Sequence, residues 1–357
     1  MRLHTILIAA IALLPLSCKK QTRETISPTT AKETTTPITT PPTICSGNIW
    51  QFDGRFYGDH KELDILRVVD ARPIVYDNKG YVFDPDKDEI RIYDGTDWSH
   101  KQSQIPFNNP VGMGFTLGNK GYLLPAYSND VWQYNFSNNT WSKKADFPGP
   151  VREGESSGVF TIGNKGYIAG GAEGGSSFGH YFSDTWEYDQ ASNTWTKKAT
   201  FSFFGQTDVT GFSIGNKGYL VNGRVNFFNT DIYSDNLQEY DPVTNSWTLK
   251  ADFPGASRAG SAAFVIDGVA YVGGGSGDPS TGEIRRYTDY YKYTPGTNSW
   301  EKIPNIPLSG AECITYFGFS INSKGYFVYR YYDVINYPGK YMYRYLPLIC
   351  STLPGSN

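Results

Sequence analysis

Histidine, methionine and cysteine are all scarce in this chain of 357 residues, at four, three and four copies. Three of the histidines, His60, His100 and His180, are scattered, and no Cys/His spacing fits zinc. A surplus of one charge is also lacking. The 32 basic side chains nearly balance 35 acidic ones, for a net charge of −3, and no basic stripe is present, so nucleic acid is not an expected partner. The N-terminal apolar run, Ile6 to Leu16, is only 11 residues long, too short to span a bilayer as a helix. Neither a phosphate-binding loop nor a nucleophile elbow occurs.

Aromatic residues and glycine are abundant: 27 Tyr, 21 Phe, 8 Trp and 38 Gly. That balance points to an all-β protein. Met1-Arg2 followed by the short apolar run reads as a signal peptide over 1–17. It ends in Leu16-Ser17-Cys18, a small residue before cysteine, which resembles a bacterial lipoprotein cleavage site. Cys18 is then the lipidated residue, and Lys19 after it, in place of Asp, favours the outer membrane. An ordinary secretory signal cut near Ser17 is the alternative. Residues 18–44 read as a disordered tether, with ten Thr and four Pro between 22 and 43.

The rest of the chain is repetitive. A Gly-Tyr pair recurs at Gly80-Tyr81, Gly121-Tyr122, Gly166-Tyr167, Gly218-Tyr219 and Gly325-Tyr326, with Ala270-Tyr271 in the remaining slot. Turns such as Gly163-Asn164-Lys165-Gly166 precede it and have hairpin chemistry. A tryptophan follows each of the first five pairs, at Trp98, Trp141, Trp195, Trp247 and Trp300, four of them within Asn-x-Trp. Alternating stretches such as Trp186-Glu187-Tyr188 lie between. Each unit therefore reads as four strands: a before the Gly-Tyr turn, b after it, c alternating and d from the Trp. Four-stranded units of about 50 residues are propeller blades; two stacked β-sandwiches are the less regular alternative.

The pattern resembles the kelch repeat. Glycine doublets at Gly170-Gly171 and Gly273-Gly274 match that family, while the corresponding positions read Pro125-Ala126, Asn222-Gly223 and Tyr329-Arg330 in other units. The expected fold is an all-β, six-bladed kelch-type β-propeller over 45–350, with a tail at 351–357. The sixth unit has no Trp of its own, and Asn48-Ile49-Trp50 supplies one, so the N-terminal strand is expected to complete the C-terminal blade beside Tyr343. Cys45 and Cys350 then flank the seam, and an exported protein permits a disulfide between them. Cys313 is expected to be unpaired and buried.

In such a blade the b–c and d–a loops share one face, where the variable loops lie. Candidate ligand-binding residues on it are Arg152, Glu155, Arg224, Phe227, Arg258, Glu312, Arg330 and Tyr331. Arginine forks suit carboxylates, and exposed rings suit sugar faces or peptide side chains. Arg152 and Arg258 also occupy equivalent repeat positions, where kelch proteins use Arg structurally. The kelch enzyme galactose oxidase needs two His and a Tyr–Cys crosslink for copper, which these scattered histidines do not supply. No metal or cofactor is expected. Asp84-x-Asp86-x-Asp88-Glu89 is calcium-like but lacks the required Gly and final Glu, and reads as a solvated loop. The expected function is a lipid-anchored, monomeric, non-catalytic module that binds a glycan or a protein. The alternative is a metal-free sugar-acting enzyme similar to the kelch sialic-acid mutarotases, with Glu155/Arg152 and Glu312/Arg330 as acid–base pairs.

Overall fold

The computed structural model describes residues 44–46, 49–55, 73–173, 180–201, 204–227, 230–277, 284–306, 313–331, 339–346 and 349–351. Among them are six four-stranded antiparallel sheets, and Ile44–Ser351 forms one compact unit. Five sheets run a-b-c-d in chain order, for example Gly158–Ile162, Lys165–Ala169, Thr185–Asp189 and Thr194–Lys198 in the third. The sixth takes strands a to c from Cys313–Ile321, Lys324–Tyr331 and Gly339–Leu346, and its outer strand is Ile49–Arg55 from the other end of the chain. Trp50 pairs with Tyr345 and Phe52 with Tyr343, which sets the N-terminal strand beside Tyr343.

The Gly-Tyr signature has a packing cause. The tyrosine stacks on the directly opposite phenylalanine of strand a, as in Phe115–Tyr122, Phe160–Tyr167 and Phe212–Tyr219, with centroids 5.1 to 5.3 Å apart. That phenylalanine also covers the glycine of the next sheet. A Cβ on Gly166 would lie 2.3 Å from the Phe115 ring, and one on Gly218 2.1 Å from Phe160. Each sheet is thereby seated on its predecessor. Innermost strands touch in succession, and Cys313–Ile321 of the sixth sheet touches Ile74–Tyr76 of the first.

Asn-x-Trp is the matching outer staple. Asn245 takes a left-handed backbone, φ 49°, a conformation Asn tolerates. Its Oδ1 accepts from the Tyr240 hydroxyl at 2.9 Å and from the Ala199 N–H of the preceding sheet at 3.0 Å. Trp247 Nε1 donates to the Ala199 carbonyl at 3.2 Å. The same triangle recurs around Asn193, Trp195 and Ala145, and around Asn298, Trp300 and Ala251. Asn245→Ala removes two hydrogen bonds and leaves Ala in a left-handed turn. A loss of about 2 kcal/mol is expected; an unchanged thermal midpoint would show that the staple adds nothing.

Beyond the sixth sheet, Ile44–Ser46 pairs antiparallel with Ile349–Ser351, with Cys45 directly opposite Cys350. Cys18, the signal segment 1–17, most of the tether and the tail 352–357 lie outside the described residues.

Candidate functional site

Strand b of sheets three, four and five ends in a left-handed pair: Gly170-Gly171, Asn222-Gly223 and Gly274-Gly275, with φ of 65° and 106°, 60° and 113°, 66° and 80°. Asn222 thus does the work of the first glycine. In sheet five the doublet is Gly274-Gly275, one residue later than the sequence suggests. The d–a segment then reaches into this bend. Arg152 Nε donates to the Gly170 carbonyl at 2.8 Å, Gln206 Nε2 to Asn222 at 2.7 Å, and Arg258 Nη1 to Gly274 at 3.1 Å.

Arg152 and Arg258 are therefore internal and away from the open face. Both side chains are fully buried. Arg152 pairs with Asp184 and lies between the rings of Phe147 and Phe182, at 4.9 and 4.6 Å. Arg258 forks onto Asp289 at 2.7 and 3.0 Å, between Phe253 and Tyr287. Burial by itself pushes the Asp289 carboxyl up, but the hydrogen bonds and charge of Arg258 outweigh it and hold it below its ordinary 3.8. The partners were readable in principle: Asp184 and Asp289 each stand four residues before the strand-c tyrosine, Tyr188 and Tyr293.

Arg224 has a different setting. The d–a segment Gln206–Thr207 pairs with Arg224–Phe227, which pairs with Thr230–Tyr233, so the long b–c loop of sheet four is itself a small sheet. Arg224 Nε and Nη2 reach Asp208 Oδ2 at 2.8 and 2.5 Å, and Nη1 reaches Asp231 Oδ2 at 3.3 Å. The three side chains are each about one-third exposed. The Tyr181 hydroxyl donates to Asp231 Oδ1 at 3.0 Å. Burial raises its pKa to about 12, opposed by the Arg224 charge and aided by Asp231. Beside this network Phe227 meets Phe204 edge to face at 5.2 Å, each 39% exposed. Asp231 and Tyr181 were missed by sequence reasoning, because nothing in the repeat marks them.

Glu312 lies outside the described residues. Glu155 falls in a short 3-10 turn, Gly154–Ser156, and Arg330 and Tyr331 close strand b of the sixth sheet; only their backbone is described. The expected partner of Glu155, Arg152, is taken by Asp184. Asp84 differs from expectation. It is fully buried, and burial raises its pKa even though Arg91 and the Lys87 N–H oppose that. Its neighbour Asp88 accepts from the Ile105 N–H at 3.0 Å, so these acids brace a turn. Among the described residues no three His, Cys, Asp or Glu side chains are grouped to hold a metal ion. A cavity of about 240 Å³ opens on the loops of sheet two, between Asn108-Asn109 and Ser128–Asp130.

Comparison with known proteins places this geometry. The N-acetylneuraminate epimerases of Escherichia coli strain K12 and Shigella sonnei are each 41% identical over 81 residues, and that of Escherichia coli O157:H7 is 42% identical. Each alignment covers 22% of this chain, and the chain spans about a fifth of those relatives' length, 21%. The solved structure of YjhT superimposes with a TM-score of 0.55 at 18% identity, over 65% of this chain and 75% of that one, a likeness of fold. The model of the KLHDC2/KLHL20/DRC7 Kelch-repeats domain matches residues 126–322, more than half of the sequence. The glycine bends, stacked Gly-Tyr pairs and tryptophan staples thus have a family: this chain is a kelch-repeat protein, folded as a β-propeller.

Proposed function

We propose that this protein is a lipid-anchored propeller of the cell envelope, tethered at Cys18 in the outer membrane, that binds a glycan non-catalytically through its b–c and d–a loop face. The observation that carries the reading is the exposed Phe204–Phe227 pair beside Arg224, Asp208, Asp231 and Tyr181. Aromatic faces take the apolar face of a pyranose, and the adjoining carboxylates and guanidinium meet its hydroxyls. The secondary sheet holds these groups on paired strands, which limits the ordering cost of binding.

Phe227→Ala is expected to lower affinity for the bound glycan at least tenfold, with little change in thermal midpoint, because the ring is exposed. A glycan array probed with wild type and variant checks this. An ectodomain that binds no sugar would end the glycan reading and leave a protein as partner.

The second reading is a metal-free sugar-acting enzyme, and the resemblance to N-acetylneuraminate epimerases favours it. Its acid–base groups would be Glu155, Glu312 and Arg330, since Arg152 is buried in an ion pair. Proton NMR of N-acetylneuraminate with the ectodomain separates the two: accelerated interconversion of sugar forms supports the enzyme, and unchanged exchange with retained binding supports the module.

A further inference from the structure

We propose that the cavity on the loops of sheet two is a receptor for a guanidinium group, the head of an arginine side chain or of a small guanidino compound. It concerns a different part of the molecule from Phe227 and does not rest on the glycan reading.

The first observation is how sheets three and five fill the equivalent place. Arg152 and Arg258 each stand five residues after a phenylalanine, Phe147 and Phe253. That ring meets the strand-d tryptophan of its own sheet edge to face, at 5.1 Å from Trp195 and 5.3 Å from Trp300. Each guanidinium lies over the phenylalanine and against a second ring, Phe182 or Tyr287. It pairs with the acid two residues after that second ring, Asp184 or Asp289. Two rings and a carboxylate thus form a guanidinium-binding box, and in both sheets the chain supplies its own guanidinium.

Sheet two keeps much of the box and lacks the arginine. Phe107 meets Trp141 edge to face at 5.7 Å, as Phe147 meets Trp195. Asp130 stands four residues before the strand-c tyrosine, Tyr134, as Asp184 and Asp289 stand before theirs. The arginine position is taken by Asn109, only two residues past Phe107. Its Nδ2 donates to the Ala126 carbonyl at 2.9 Å, as Arg152 Nε does to Gly170, and the side chain ends there. Where the other sheets have the second ring, two residues before the acid, sheet two has Ser128. Phe107, Asn109, Ser128 and Asp130 all line the cavity of about 240 Å³. The missing guanidinium and the missing ring account for it.

The polar groups of this box are also differently engaged. Trp186 Nε1 donates to Asp184 Oδ2 at 2.7 Å. Trp132 is its counterpart, two residues after Asp130, and its buried Nε1 has no hydrogen-bond partner among the described residues. Asp130 faces Lys143 at 2.9 Å, with both side chains nearly half exposed, so the pair contributes little to stability. Lys143 also reaches Asp146 at 3.3 Å and keeps a partner if Asp130 turns inward. A planar, weakly hydrated guanidinium suits a carboxylate beside an aromatic ring better than an ammonium does.

Titration of the protein with methylguanidine, followed by saturation-transfer NMR, tests the site. Saturable binding is expected, about fivefold tighter than that of methylammonium. Asp130→Asn is expected to weaken it about tenfold. Ser128→Phe supplies the second ring of the other boxes, fills the cavity and is expected to abolish binding. Lys143→Ala removes the competing cation and is expected to tighten binding about twofold. Lys143 is exposed, so this variant keeps the test decisive if either of the others fails to fold. No saturable binding by the wild type, equal binding of methylammonium, or unchanged affinity in both Asp130→Asn and Lys143→Ala would overturn the proposal. An acetyl-glycyl-arginyl-glycine amide peptide separates the sources of the group. Tighter binding than methylguanidine assigns the site to an arginine of a partner protein; equal or weaker binding assigns it to a small guanidino compound. A blank glycan array leaves this site standing, and a blank methylguanidine titration leaves the glycan reading standing.

Discussion

A peptide joining Cys45 to Cys350 is expected in non-reducing digests of the protein folded under oxidising conditions, and reduction is expected to lower its thermal midpoint by roughly 10 °C. The two residues are direct partners in an antiparallel pair. Such partners have Cα atoms about 4.5–5.5 Å apart, inside the window a disulfide spans, about 4.4–6.8 Å. Two thiols lose two protons and two electrons to a disulfide oxidant such as oxidised glutathione to form the bond. The link would close a loop containing nearly every sheet. Loop-closure models give it roughly 4–5 kcal/mol before strain, and each kcal/mol moves the midpoint of a large domain by about 2–4 °C. The effect is large because the outer strand of the sixth sheet, Ile49–Arg55, comes from the opposite end of the chain. Without a covalent link, that strand is held by its ladder and packing alone. Cys45→Ser should reproduce the loss in oxidising buffer. A midpoint indifferent to reductant, or free thiols at both positions, would refute the bridge.

Arg258→Met is expected to cost about 3–5 kcal/mol, because it leaves Asp289 desolvated without its cation. The double variant Arg258→Met with Asp289→Leu should recover most of that loss, since no uncompensated charge remains. Denaturant melts of the wild type, both single variants and the double variant measure the coupling. A double variant no more stable than Arg258→Met would argue that the guanidinium acts through Gly274 and the flanking rings. The pair also sets an acid dependence. Asp289 is held below 3.8 in the folded protein, so its contribution is present above that pH and is lost as the pH falls through the folded value. Arg258→Met leaves burial opposed only by the hydrogen bonds from Tyr291 and the backbone, so Asp289 should titrate higher and the acid loss of stability should be weakened or reversed.

The repeat was legible because its signals are local. Gly-Tyr marks a strand whose neighbour covers it with an aromatic ring, and Asn-x-Trp marks a left-handed turn that hydrogen-bonds one sheet back. Periodic spacing carried both into the sequence. Trp50, stranded ahead of the first unit, was enough to pair the N-terminal strand with the last sheet near Tyr343. The candidate site was less legible. Arg152 and Arg258 share a repeat position that already suggested a structural role, and both are buried keystones, but all three arginines were also candidate ligand contacts, and Arg224 alone stands on a half-open loop sheet.

What separates them is which acid faces each guanidinium and how much water remains there. Asp184 and Asp289 lie 32 and 31 residues away along the chain and are brought up by the seating of strand c. Asp231 is only seven residues from Arg224, across a hairpin inside a loop that no repeat predicts. The amino-acid order alone determined the strand sequence, the repeat and the pairing of the two chain ends, because those follow from short-range periodicity. Only the tertiary structure decided which charges are structural and which meet solvent, because desolvation and ion pairing depend on neighbours far away in the chain.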